Sequence, residues 1–431
     1  MKIEQDRWPS TSEIDGVSRI RKIRSRAIQE MTLRTRYIFD LETVDCEDDF
    51  TPPKKGDKFN FTLVSPHLPI SFGKYKDYPK ERKELYLEPS ASGHCILGPS
   101  PSYDPMGWFS RRKFELKTVL NNHHSDIILF PEFAFPQSVI FQAISQDQNP
   151  DVHKRMNDAI REEFEAGLSL NGSLSDCFVF LGSYHCRKTF YHNGVLLPTG
   201  MREKNLEKRS VTHYLSDAYS SIKTDTIDPL VFLPKRFPAR RAGEQINVPV
   251  GNKLQIYRKK FGNIAVLVCS DALDLNQVTA VVNHNRTSGP HRIDYVLIPS
   301  FNRSPQLLYA ARELSLLASC MVLVCNVAGK HKNITNVVKN LPPSKVFVCG
   351  SDFSPDLHPK DKVKPDIAAA IGVAVKPAQR VSYGTNVISK NIAAFSVINV
   401  EVDYHKLRAF ACWSSRRANR SVKYDGLPLS K

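Results

Sequence analysis

Several short runs in this chain are apolar at every position, among them Ile127 to Phe130, Ile264 to Cys269, Tyr295 to Ile298 and Met321 to Cys325. A strand with one wet face alternates apolar and polar residues, whereas a strand apolar throughout is covered on both faces. Runs of this length are strands, since a helix needs roughly ten residues or more. The segments around them carry helical spacing. Trp108 to Leu120 places Phe109, Phe114, Leu116, Val119 and Leu120 on an apolar side. Asp151 can cap a helix running to Leu170, in which Met156, Ile160, Phe164 and Leu168 recur at every fourth residue, and Leu307 to Ala318 is another helix. Further strands are expected at Cys95 to Leu97, Cys177 to Leu181, Val195 to Leu197, Val346 to Cys349 and Ala394 to Val402. Buried strands alternating with helices define an α/β protein. Ser351 to Asp366, rich in Pro, Asp and Lys, reads as a surface loop.

This regular pattern begins near Gly93, which divides the chain into a basic, partly irregular N-terminal extension over 1–92 and a domain over 93–431. In the extension, Arg19, Arg21, Lys22, Arg24, Arg26, Arg34 and Arg36 crowd a helix expected from Ser18 to Tyr37, beside a narrow stripe of Ile20, Ile23, Ala27, Met31 and Tyr37. Thr51 to Ser90 reads as loops with one strand-like piece, Phe59 to Val64. The chain carries 60 basic against 44 acidic residues, a net charge of +16. Such an excess suits an encounter with nucleic acid or an acidic protein through the extension, but it equally fits a solvated helix packed on the body of a basic protein, since Lys and Arg are also scattered along the rest. No stretch reaches the roughly 18 apolar residues of a membrane span, and the polar first residues do not suggest a secretory signal. The nine cysteines include no CxxC pair, and several lie in apolar runs. That is neither a disulfide nor a zinc framework, and it points to a reducing, cytoplasmic setting.

Two of the apolar runs end on residues with chemistry. Val266-Leu267-Val268 leads into Cys269-Ser270-Asp271, and Ile127-Ile128-Leu129-Phe130 leads into Pro131-Glu132. The C-terminal ends of buried strands are where an α/β sheet exposes functional groups. Cys269 is a candidate nucleophile, given a base or cation to favour its thiolate. Taken alone it also fits a core cysteine beside a strand-end Asp. Glu132, followed by Phe133 and Phe135, has the setting of a desolvated general base and equally of a paired carboxylate in a turn. A cation near a thiolate would stabilise it and a tetrahedral intermediate. The run Met201 to Arg209 offers Lys204 and Lys208 for that part, or is simply a solvated charge run.

Together, in the order Glu, Lys, Cys, these pieces resemble the nitrilase, or carbon–nitrogen hydrolase, superfamily, as a divergent member. Ile128-Leu129-Phe130-Pro131-Glu132 is similar to the family's strand ending in Pro-Glu, and Val266 to Asp271 to its nucleophile strand. Asp294 to Ser300, Ala310-Ala311-Arg312-Glu313 and Val324-Cys325-Asn326-Val327-Ala328-Gly329 resemble the strand, helix and strand that follow. The resemblance implies a four-layer α-β-β-α sandwich, no metal or organic cofactor, and subunits that commonly pair. It assigns Glu132 as general base and Cys269 as nucleophile. It also favours Lys208, eight residues past Gly200, over Lys204 as the catalytic lysine. The implied reaction is hydrolysis of a small-molecule amide, rather than a nitrile, through a cysteine thioester. An amine in place of water would turn the same thioester to acyl transfer. The alternative is a weakly active or inactive scaffold of this fold that binds nucleic acid or protein through its basic N-terminus. The chain departs from the family pattern at Ser270, where an aromatic is usual, and at Ala272-Leu273-Asp274-Leu275, where Phe-Pro-Glu often stands. The interval from Lys208 to Cys269 is longer than usual, and it contains Glu244, a loose match to a further family Glu.

Overall fold

The structure, a computed structural model, describes residues 40–45, 53–66, 85–89, 95–99, 114–119, 121, 124–132, 134, 178–187, 189–192, 195–198, 211–218, 230–234, 253–302, 305–328, 330–332, 338–340, 343–382 and 394–424. The helices expected over 18–37 and 151–170, and Lys204, Lys208 and Glu244, lie outside these residues.

Two sheets dominate. The seven-stranded sheet holds, in spatial order, β1 (Asp40–Asp45), β11 (Lys253–Lys259), β12 (Gly262–Val266), β13 (Tyr295–Ser300), β14 (Met321–Asn326), β17 (Lys345–Val348) and β18 (Ser351–Asp352). The eight-stranded sheet runs β10 (Leu230–Pro234), β9 (Val211–Ala218), β6 (Phe178–Arg187), β5 (Ile127–Leu129), β2 (Lys58–Ser65), β21 (Ala394–Asp403) and β19 (Val373–Val375), with β20 (Gln379–Ser382) also on β21. Three hairpins stand apart: β3 (Leu85–Pro89) with β4 (Cys95–Pro99), β7 (Thr189–His192) with β8 (Val195–Pro198), and β15 (Lys330–Lys332) with β16 (Val338–Asn340). Each large sheet has a parallel centre, β12-β13-β14 in one and β2-β5-β6 in the other.

The continuous apolar runs do what their pattern requires. In β12 to β14, Ile264, Val266, Tyr295, Leu297, Met321 and Leu323 face the other sheet's Phe59, Phe61, Leu63, Ile127, Leu129 and Phe180 in one cluster. The alternate residues Ala265, Val296, Ile298, Val322 and Val324 meet two helices, α1 (Leu275–Thr287) and α2 (Gln306–Leu317), through Val278, Val281, Leu307, Ala311 and Leu314. Spacings of three and four residues put those helical side chains on one stripe. In the eight-stranded sheet, Val64, Ile128, Phe395 and Val397 point away from the shared core and are fully buried too. Both sheets are therefore covered on both faces, as an α-β-β-α sandwich requires. A short α3 (Pro365–Ile371) and a long α4 (Tyr404–Tyr424) follow, the latter burying Leu407 and Ala411 against the shared core.

The sandwich takes in strands from before Gly93. β2 is flanked by β5 and β21, and β1 pairs in parallel with β11. The division at 92/93 thus cuts through both sheets. Low regularity near these strands hid the pairing, because the partners lie far along the chain. β11 and β12 join through a two-residue turn, and Gly262 closes it at φ +127°, where a Cβ would meet the rings of Tyr295 and Tyr404 at 2.8 and 3.0 Å. Only glycine fits both the angle and the space.

Candidate active site

The strand expected to run into Cys269 stops at Val266. One ladder bond continues, Leu267 N–H to Leu297 C=O at 3.0 Å, and then the chain turns. Cys269 sits at φ 45°, a left-handed conformation uncommon for any residue but glycine, and opens a 3-10 turn over Cys269–Leu273. Asp271 builds that turn. Its carboxylate accepts from Val268 N–H at 3.2 Å and from Gln277 Nε2 at 3.1 Å, and its own N–H donates to Val268 C=O at 2.9 Å. At 1% exposed, Asp271 is a structural brace for the cysteine. The altered segment after it has a local use as well. Asp274 caps α1, accepting from Asn276 N–H at 3.3 Å. Cys269 is half-buried and packs against both the inter-sheet core and the helix-side core. It stands at the lip between them.

Glu132 lies three residues past the end of β5, in the opposite sheet, and is 2% exposed. Its Oε2 accepts from Phe301 N–H at 2.9 Å. Phe301 is the first residue after β13, the parallel neighbour of β12. The bond therefore brings the carboxylate to the end of the sandwich from which Cys269 rises. The same end is stitched in other places. Ala328 N–H donates to Pro66 C=O at 2.8 Å, and the Cys325 thiol lies 3.3 Å from Val64 C=O and 3.1 Å from Leu129 C=O.

Two of the three sequence candidates are thus described, at the C-terminal ends of the parallel strands of facing sheets; Lys208 falls outside the described residues. Asn302 and Ser344 escaped the sequence reading, and Asn326 entered it only within the run Val324 to Gly329. Asn302, Asn326 and Ser344 are all buried and hydrogen-bonded to one another. The only trace in sequence is an Asn closing an apolar run, at Val324-Cys325-Asn326. Cys320, Cys325 and Cys349 are buried, unlike Cys269. Burial pushes the thiols of Cys320 and Cys325 far up, and that of Cys349 up to about 12, so they stay protonated and inert.

No family model and no curated protein matches the sequence. Among solved structures, the chain is similar to Saccharomyces cerevisiae Nit3, a member of branch 10 of the nitrilase superfamily. The identity is 12%, the match covers 88% of this chain and 98% of that one, and the TM-score is 0.44. It is similar to a CN-hydrolase superfamily protein from Xanthomonas campestris at 14% identity, covering 87% and 100% of the two chains at a TM-score of 0.44. It is also similar to the glutamine-dependent NAD+ synthetase of Acinetobacter baumannii at 14% identity and a TM-score of 0.38, covering 69% of this chain and 43% of that one. The chain thus spans less than half the length of that synthetase.

Proposed function

We propose that the protein is a divergent nitrilase-superfamily hydrolase that cleaves a non-peptide carbon–nitrogen bond, an amide in preference to a nitrile, with Cys269 as nucleophile, Glu132 as general base and Lys208 as the oxyanion-binding cation. The observation that carries this reading is the Phe301 N–H bond to Glu132, which sets a buried carboxylate at the sandwich end where Cys269 stands in a left-handed turn. Ser319 and Cys349 share this left-handed conformation, so the bond to Glu132 rather than the backbone angle carries the reading.

Glu132 takes the proton of the Cys269 thiol as sulfur attacks the amide carbon. Lys208 and a backbone N–H after Cys269 hold the oxyanion. The carbon–nitrogen bond breaks, and the amine leaves with the proton that Glu132 returns. Water, deprotonated by Glu132, then opens the thioester, releasing a carboxylic acid and the free thiol.

The test is alkylation by iodoacetamide, itself a small amide, followed by peptide mass mapping of all nine cysteines. Cys269 is expected to react first, well ahead of the comparably half-buried Cys412. Glu132→Gln should slow that reaction by about 100-fold or more, the range of positioned general-base catalysis, and Cys269→Ala should abolish it with the fold intact. If Cys269 reacts no faster than Cys412, the assignment is wrong.

A further inference from the structure

We infer that Asn326 is the positioning residue that fixes Glu132 for proton transfer, acting through the backbone of Phe301 and Asn302; this rests on the assignment of Glu132 as the base. Glu132 has left its strand, so no ladder bond of β5 sets where its carboxylate points. One donor that fixes Oε2 is the N–H of Phe301, and Phe301 has left β13 in turn. The stability of that N–H depends on what holds residues 301 and 302.

That holder is the side chain of Asn326, the last residue of β14, fully buried. Its Oδ1 accepts from Asn302 N–H at 2.9 Å, and its Nδ2 donates to Asn302 C=O at 3.0 Å. One short carboxamide thus satisfies both backbone groups of a single residue, as a neighbouring strand would. It does so because it presents one acceptor and one donor edge on a planar group. Asn326 is braced behind. Its N–H donates to Ser344 Oγ at 2.9 Å, and Ser344 Oγ lies 2.6 Å from Ser65 Oγ at the end of β2. The circuit runs from β2 through Ser344, Asn326 and the 301–302 peptide to Glu132 beyond β5, the strand beside β2. It closes around five strand ends, those of β2 and β5 in one sheet and of β13, β14 and β17 in the other. Every residue in it is buried, Phe301 being the most exposed at 9%, so water does not readily substitute for a missing partner. A shift of about 1 Å in a positioned catalytic group can cost about 100-fold in rate.

Asn326→Asp tests this, because the substituted side chain keeps the shape and changes its hydrogen bonding with pH. Ionised, it turns an acceptor towards Asn302 C=O and repels it. Protonated, a carboxylic acid offers one donor and one acceptor again. At about pH 8, iodoacetamide alkylation of Cys269 is expected to be roughly 10- to 100-fold slower than in wild type. The ratio of variant to wild-type rate should climb as pH is lowered towards about 5, nearer the ordinary carboxyl range. Circular dichroism confirms the fold at each pH. A role in stability alone would lower the melting temperature and leave the ratio of rates flat. Ser344→Ala removes a more distant link and should slow alkylation about threefold, a mild loss of positioning; it carries the test if Asn326→Asp does not fold. Wild-type rates in the folded variants, with Glu132→Gln slow, overturn the inference and leave the base assignment standing. A Glu132→Gln protein that alkylates at the wild-type rate overturns both.

Discussion

Cys269 and Cys325 look alike in sequence, each closing an apolar run. The structure gives them opposite tasks. Cys325 is fully buried, and its thiol reaches from β14 to carbonyls of β2 and β5, bridging the two sheets. Burial raises its pKa, so it is held as a thiol that can donate. Cys269 stands half-buried on a turn braced by Asp271. Their substitutions should therefore separate stability from reactivity. Cys325→Ala removes a buried sulfur and leaves two carbonyls without their S–H donor. A cost of about 2–3 kcal/mol is expected from the void and the missing hydrogen bond together. Cys269→Ala, on a half-buried turn, should stay within about 1 kcal/mol. Guanidinium denaturation of the two variants measures both. Equal losses would remove the bridging role given to Cys325.

Elements with strong local pattern were legible. The expected strands at Tyr295, Met321, Val346 and Ala394, and the helix at Leu307, stand within a few residues of their place as β13, β14, β17, β21 and α2. Their extents follow from apolar runs that need no partner to be seen. The strand-like piece Phe59 to Val64 stands as β2, whereas β1 and the pairing of both strands were obscured because their partners are distant in sequence. Glu132 and Cys269 were visible as residue types at strand ends, whereas the Asn326 circuit depends on hydrogen bonds between residues that sequence spacing does not relate. The helix α1, absent from the sequence reading, also carries a titration that only structure reveals. Near its C-terminus, His284 Nε2 lies 2.9 Å from His291 C=O and Nδ1 lies 2.9 Å from Ser288 Oγ. A neutral ring, donating from Nε2 and accepting at Nδ1, satisfies both. Burial lowers the His284 pKa and outweighs the His291 carbonyl, which favours the charged form. The charge of neighbouring His291 lowers that pKa further. With the folded value below the unfolded one, the unfolded chain takes up the proton first as pH falls. Stability is then lost as pH drops through the unfolded value, near 6.5. Melting temperatures compared between about pH 8 and about pH 5 should fall less in His284→Gln than in wild type. Parallel curves would show that His284 contributes nothing to the acid limb.

At the scale of the whole molecule, the proposed chemistry and the densest basic run occupy different parts of the chain. The candidate site is built from strand ends of the two sheets, whereas the densest basic run, Arg19 to Arg36, precedes the first described strand. The net charge of +16 can therefore act in two ways. If it works as a diffuse field, any polyanion is attracted by the whole surface, and no few residues dominate. If the N-terminal run is a binding surface, affinity depends on those side chains, and a counterion is released for each phosphate met. Charge reversal of Arg21, Arg24 and Arg26 to Glu removes six units from the +16. We expect the binding-surface outcome: weaker binding to duplex DNA, and a salt dependence whose logarithmic slope falls by up to about 0.9 for each phosphate that is no longer neutralised. Iodoacetamide alkylation of Cys269 in the same variant should keep its wild-type rate, because the proposed chemistry assigns no role to these three residues. Fluorescence anisotropy with a labelled duplex across a salt series reads the first quantity, and peptide mapping reads the second. An unchanged slope would assign polyanion binding to overall charge. A loss of Cys269 reactivity would instead couple the basic run to the sandwich, contrary to this separation.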